Sequence, residues 1–225
     1  MYPVSFSGIT VYGVYIHEPG GFITDLLIGL VCLWLLLKLP NSKDLFQRNW
    51  TLFIAMIGIG GVGGALVHGI PTVLGETLFY WMWVLKNIFI PIANYYAAYL
   101  VLFQMFPKKI NLLNILLLVK LTAINLIMAY TYSFLPVVID IAITYILVIW
   151  LSSKLVEQLP AYKNIRAAFI LAFMSGLLYL TKYDIDPVWF SHKDMAHIFV
   201  LVSVYLIYKA ILIKEKDYHF GKVSK

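Results

Sequence analysis

Apolar residues run through this chain in blocks of about twenty, each broken by a short polar or Gly/Pro-bearing segment. A block of that length, wound as a helix, matches the hydrocarbon thickness of a bilayer. Lipid offers the backbone no hydrogen-bond partners, so each block is read as a helix. Seven spans follow, over about 22–39, 50–69, 77–106, 111–131, 134–153, 164–181 and 193–213. The third is long, and Pro91 followed by Asn94 predicts a kink or tilt within it. Connections are short, so neighbouring helices are antiparallel. The expected fold is an all-α, seven-helix membrane bundle over residues 22–213, preceded by an extracytoplasmic segment, 1–21, and followed by a basic cytoplasmic tail, 214–225.

Composition strengthens this reading. The chain of 225 residues is 62% hydrophobic and 12% charged, where soluble domains are about half apolar and a quarter charged. No stretch is left for a sizeable soluble domain. The lone cysteine, Cys32, lies in the first span, which removes intramolecular disulfides and Cys-rich metal sites. The N-terminal segment has no basic region and no clean cleavage site, so it does not read as a removed signal peptide.

Charge sets an orientation and argues against a nucleic-acid partner. Thirteen of the seventeen basic residues fall on one side of the spans: Lys38, Lys43, Arg48, Lys108, Lys109, Lys154, Lys163, Arg166, Lys209, Lys214, Lys216, Lys222 and Lys225. Lys182 and Lys193 fall on the other, and Lys86 and Lys120 lie inside spans. The positive-inside rule therefore places the N-terminus outside and the C-terminus in the cytoplasm, as in a bacterial inner membrane. No heptad pattern, low-complexity tract or convincing internal repeat is present, so an inverted-repeat transporter is not suggested.

With that topology, the ionisable residues gather at one level. The second span ends in GGVGGALVHG, placing His68 at its outer end. His192 and His197 open the seventh span, His17 and Glu18 precede the first, Asp25 lies in its first turn, and Glu76 opens the third. Asp140 is about two turns into the fifth span. Ionisable groups within spans are costly and usually face the bundle interior. Simpler roles compete for several of them. His17 reads as an interfacial residue, Glu18 and Asp25 as carboxylates favouring a helix N-terminus, Lys86 as a partner of Asp140 or Glu76, and Lys120 as half of an internal ion pair. His68 shares a helix face with Gly60 and Gly64, and small residues so spaced predict close helix packing. His219, in the tail, stands apart from the cluster.

The stretch FSHKDMAHIF adds a possible chemistry. Asp194 and His197 share a helix face, and His192 sits in the preceding turn. Three imidazoles from spans 2 and 7 suit zinc, which takes three protein ligands plus water at catalytic sites. Asp194 would then orient a ligand histidine or take a proton from the water, with Glu76 the other candidate acid. A bis-histidine haem held by His68 and His197 is a third option.

The seven spans, the N-out orientation, a histidine ending span 2, two histidines opening span 7 and HEPGGFITD leading into span 1 resemble the CREST superfamily. That group includes alkaline ceramidases and the adiponectin and progestin receptors. The nearest likeness is to uncharacterised bacterial members. The resemblance implies zinc held by His68 first and His197 last, with His192 the best candidate between them, in an intramembrane amide hydrolase acting on lipid. It also implies calcium near Glu18 and Asp25. Three departures stand out. The superfamily's serine four residues before the span 2 histidine is Gly64 here. The histidine pair of span 7 is separated by four residues rather than three. The aspartate expected after the span 2 histidine is missing, with Glu76 the nearest acid. The leading expectation is a zinc-dependent hydrolase of a lipid amide or ester. The main alternative is a non-enzymatic membrane sensor, receptor or assembly protein with a structural metal or polar cluster.

Overall fold

The computed structural model describes residues 8–40 and 44–223, with side chains described as far as Lys214. Lys43 and Lys225, and the side chains of Lys216, His219 and Lys222, lie outside what is described. A short hairpin comes first, β1 (Ile9–Val11) paired antiparallel with β2 (Val14–Ile16). Tyr12 and Gly13 turn it, both at positive φ (48° and 80°), as a tight two-residue hairpin turn demands. The sequence pattern did not reveal this hairpin, because three-residue strands carry too few positions to show a period of two.

Seven helices follow: α1 (Pro19–Lys38), α2 (Leu45–Gly69), α3 (Pro71–Met105), α4 (Ile110–Thr131), α5 (Leu135–Leu155), α6 (Ala161–Thr181) and α7 (His192–Val223). Among the described residues, seven helical segments are long and apolar enough to cross a membrane. The spans read from the sequence match these helices one for one. The largest shift is at the end of α7, which continues past the apolar run to Val223; the next largest are at the starts of α2 and α3, which begin five and six residues before the spans read. At α2, for example, the Asp44 carboxylate accepts the Gln47 N–H at 3.1 Å and so opens the helix before the apolar run begins. The non-helical residue of α3 is Gly75 (φ 70°, ψ 164°), before the span read from the sequence, and Pro91 sits buried within the helix.

Six helices form a ring in which α1 packs on α2, α2 on α3, α3 on α5, α5 on α6, α6 on α7, and α7 returns to α1. The fourth helix, α4, lies outside this ring against α3 and α5. The main apolar core occupies one end only, around Leu35, Trp50, Leu100, Leu151, Tyr162 and Ile207. Beyond Ile54 on α2 and Ala172 on α6, buried apolar residues become sparse. Near the core end, lysines fold back over aromatic rings: Lys38 over Trp34 at 4.2 Å, Lys154 over Trp150 at 5.5 Å and Lys209 over Tyr205 at 5.4 Å. Such pairs suit an interface, with an apolar stem and a wet charge.

Glycines explain how α2 touches two neighbours. A Cβ at Gly61 would meet the Asp25 carbonyl oxygen at 2.9 Å, and one at Gly58 would meet Cys32 Cβ at 2.7 Å. On another side of the helix, a Cβ at Gly63 would meet Lys86 Cβ at 2.9 Å. One set of glycines therefore admits α1 and the other admits α3. Gly60 and Gly64, expected to share one packing face, divide between these two contacts: Gly60 faces Lys86 and Phe89, and Gly64 faces Asp25.

Candidate functional site

The site lies at the loosely packed end and is assembled from α1, α2, α3 and α7. The approach to α1 runs alongside the end of α2, where His17 N–H donates to the Gly69 carbonyl (3.2 Å) and Glu18 N–H to that of His68 (3.1 Å). These two bonds use carbonyls that the end of a helix leaves without partners. They also set the Glu18 side chain against the His68 ring. Nδ1–H of His68 donates to Glu18 Oε2, and Lys193 Nζ donates to Glu18 Oε1 at 2.8 Å.

Burial alone would raise the Glu18 carboxyl. The hydrogen bond from His68 and the nearby charges of His68 and Lys193 outweigh it and hold the group down at about 2. A carboxyl depressed in the folded chain stabilises the fold fully above its unfolded value near 4.5, and that contribution disappears as pH falls toward about 2. Thermal stability of the wild type is therefore expected to fall across that window. Glu18→Gln should lack this component of the loss, and parallel melting curves at stepped pH check it.

The second histidine is positioned through Thr24. The Thr24 hydroxyl lies 3.0 Å from the Gly20 carbonyl and 3.1 Å from Asp194 Oδ1, both acceptors, and 2.8 Å from His197 Nδ1. When its single proton goes to an oxygen, a lone pair of the hydroxyl accepts Nδ1–H from His197. Asp194 is buried, and its Oδ2 accepts the Ser191 N–H and hydroxyl, each at 2.7 Å. Both Asp194 oxygens are thus engaged, Oδ1 beside the Thr24 hydroxyl that also contacts His197.

The Glu18 bond places the proton of a neutral His68 on Nδ1, and the Thr24 contact accommodates the same tautomer of His197. With Nδ1 protonated in each neutral ring, Nε2 carries a lone pair. His197 Nε2 lies 3.5 Å from Asp25 Oδ1, and His68 Nε2 lies 3.8 Å from Asp25 Oδ2. The Asp25 carboxylate fills the space a Cβ on Gly64 would need. While both rings are neutral, two imidazole lone pairs and one carboxylate face one another. Acceptors so arranged repel unless a cation stands among them. Lys86 Nζ, 3.5 Å from His68 Nε2, approaches from α3. Among the described residues, no three His, Cys, Asp or Glu side chains form a ready metal-holding group.

The remaining sequence candidates fall elsewhere. His192 is drawn to Asp184, whose Oδ1 accepts both its backbone N–H and its Nδ1–H at 2.7 Å. Those two bonds, the backbone one first, hold the Asp184 carboxyl below its ordinary value. His192 thus lies at the start of α7, against Tyr179, rather than beside His68. Glu76 is exposed just past Gly75. His17 is buried, edge-on to Tyr15. Asp140 pairs with Lys120 at 2.5 Å, which corrects its expected pairing with Lys86 and supplies the internal partner expected for Lys120. Thr24 was missed in the sequence, although it sits beside Asp25 in HEPGGFITD; a threonine in the first turns of a helix ordinarily bonds its own backbone.

Together these features define a seven-helix bundle of membrane-spanning dimensions, packed at one end and carrying a histidine–carboxylate–ammonium cluster at the other. A family of unknown function, DUF6962, matches residues 21–216, so the chain belongs to that family. None of the curated proteins matches the sequence.

Proposed function

We propose that this chain is a metal-dependent membrane hydrolase acting on a lipid amide or ester, with its site toward the outer face of a bacterial inner membrane. The observation that carries the reading is the pair of imidazole lone pairs, His68 Nε2 and His197 Nε2, turned toward the single Asp25 carboxylate. Donor atoms on a tetrahedral zinc with ~2.0–2.1 Å bonds stand roughly 3.3 Å apart. The donor types suit zinc, and the two His–Asp separations, 3.5 and 3.8 Å, would have to close to hold it. His68, His197 and Asp25 would hold the metal, with Asp25 taking the place expected of His192. Glu18, directly, and Asp194, through Thr24, would keep the two rings in the tautomer a metal requires. A bound zinc supplies a water acidic enough to act as hydroxide near neutral pH. Calcium at Glu18 and Asp25 is not part of this proposal, since both carboxylates are directed at the histidines. The excess of basic residues on one side supports the orientation, and the loosely packed end supports entry of a lipid chain.

Purified protein in detergent micelles is expected to hydrolyse a fluorescent long-chain N-acyl amide or the matching ester, to stop on chelation, and to recover with zinc. Failure to turn over either compound, with metal bound, would overturn the hydrolase reading. It would leave the second reading, a non-enzymatic sensor or receptor. One observation favours that second reading: Asp25 occupies the space a serine side chain at position 64 would need. The haem reading is disfavoured because Asp25 stands against both Nε2 atoms, where an iron porphyrin would have to lie.

A further inference from the structure

We propose that Lys86 binds the acyl oxygen of a fatty-acyl ligand: its ammonium receives the carbonyl oxygen, or the free carboxylate, at the head of a long apolar chain. The inference rests on the lipid-hydrolase reading above for the class of ligand, but it draws on separate observations. The first is an imbalance among the lysines. Lys193 and Lys120 each have a carboxylate oxygen close by, at 2.8 and 2.5 Å. Lys86, in the middle of an apolar helix, has none within ion-pair distance among the described residues, and its only hydrogen-bond contact there is His68 Nε2 at 3.5 Å. An ammonium inside a bundle is expensive and needs an anionic or strongly dipolar partner.

The second observation is that Lys86 is held in place. A Cβ on Gly60 would meet the Lys86 carbonyl oxygen at 3.5 Å, and one on Gly63 would meet its Cβ at 2.9 Å. Its backbone is therefore seated on α2, and its ammonium lies 3.5 Å from His68 Nε2. The third is that the donors nearest to it are committed elsewhere. Gly64 offers no hydroxyl, and the Thr24 hydroxyl is already engaged. The main apolar core stops short of this level, and a smaller cluster around Val84, with Ile88 and Ile90 packed on it, gives α3 an apolar flank on either side of Lys86 in sequence.

In hydrolysis the same contact serves the reaction. As the oxygen of water bonds to the carbonyl carbon, the C=O π pair moves onto the oxygen facing Lys86. Its return breaks the bond to nitrogen (or ester oxygen). The leaving group takes the proton that the water has lost, and a fatty acid and an amine (or alcohol) remain.

The test compares binding of 9,10-dibromostearic acid with that of dibromostearyl alcohol in maltoside micelles at pH 8, read by quenching of tryptophan fluorescence. Wild type is expected to half-saturate with the acid at a concentration about tenfold or more below that for the alcohol. Lys86→Met should lose this preference and Lys86→Arg should keep it, with zinc content unchanged in both. Equal affinity of wild type for acid and alcohol overturns the proposal whatever the variants do. So does an undiminished preference in Lys86→Met, or in Lys86→Gln should the methionine variant fail to fold. Zinc-free wild type would overturn the hydrolase reading while leaving the acid preference to decide the role of Lys86. Zinc-loaded wild type with no preference would overturn only the present inference.

Discussion

Asp140→Leu is expected to destabilise the folded bundle by about 3–5 kcal/mol. The Asp140 carboxylate is fully buried, with Lys120 Nζ at 2.5 Å and Asn94 Nδ2 at 2.7 Å. Lys120 also donates to Thr144 at 3.0 Å. Removing the acid alone strands a lysine ammonium and an amide donor in an apolar setting, which costs far more than the pair contributed. The double variant Lys120→Met/Asp140→Leu should recover most of the loss, because two apolar side chains leave no charge unmatched. The helix at stake is α4, which lies outside the ring and presents Leu112, Leu116, Val119 and Leu126 outward. Denaturant titrations of the single and double variants in the same micelle check this. Equal stability of the single and double variants would contradict the ion-pair account.

Asp25→Ala should have the largest effect on activity. Among the described residues Asp25 is the carboxylate near both Nε2 atoms, so on the proposed reading its loss would remove a metal ligand and the charge that pairs with the cation. Zinc is expected to be absent from the purified variant, and lipid-amide hydrolysis to fall to background. Glu18→Gln is a milder change. It keeps an acceptor for His68 Nδ1–H but loses the charge, and it should weaken zinc binding about 10–100-fold. Metal titrations of both variants against wild type separate the two roles. Full zinc occupancy in Asp25→Ala would remove this residue from the site.

The sequence made the seven helices legible because burial in lipid requires long apolar runs, and such runs have almost no other explanation. Helix starts were less legible, since the polar turns that open α2 and α3 resemble loop. Within the site, His68 and His197 were marked by their level in the topology, and the structure brings them together. The glycines of α2 announced a close approach, but not which helix approached: spacing identifies a small face and says nothing of what it meets. Asp25 accordingly read as a carboxylate at a helix N-terminus. The contact is made through Gly61 and Gly64, which let α1 slide close enough for its side chain to reach two rings. His192 and Lys86 show a second limit. Each had several acids within plausible reach, and the choice of Asp184 for His192 and of Lys120 for Asp140 depends on loop conformation and on which helix closes the ring. Neither is a property of local sequence.

The central claim is that His68 and His197 hold a metal ion, and zinc content measures this most directly. Wild type and His68→Ala/His197→Ala would be purified side by side, without a histidine tag or chelator, and analysed by plasma mass spectrometry. About one zinc per chain in wild type, absent from the double variant, is the expected result. No metal in either sample would contradict the account and reduce the cluster to a structural or sensing feature at the end of the bundle.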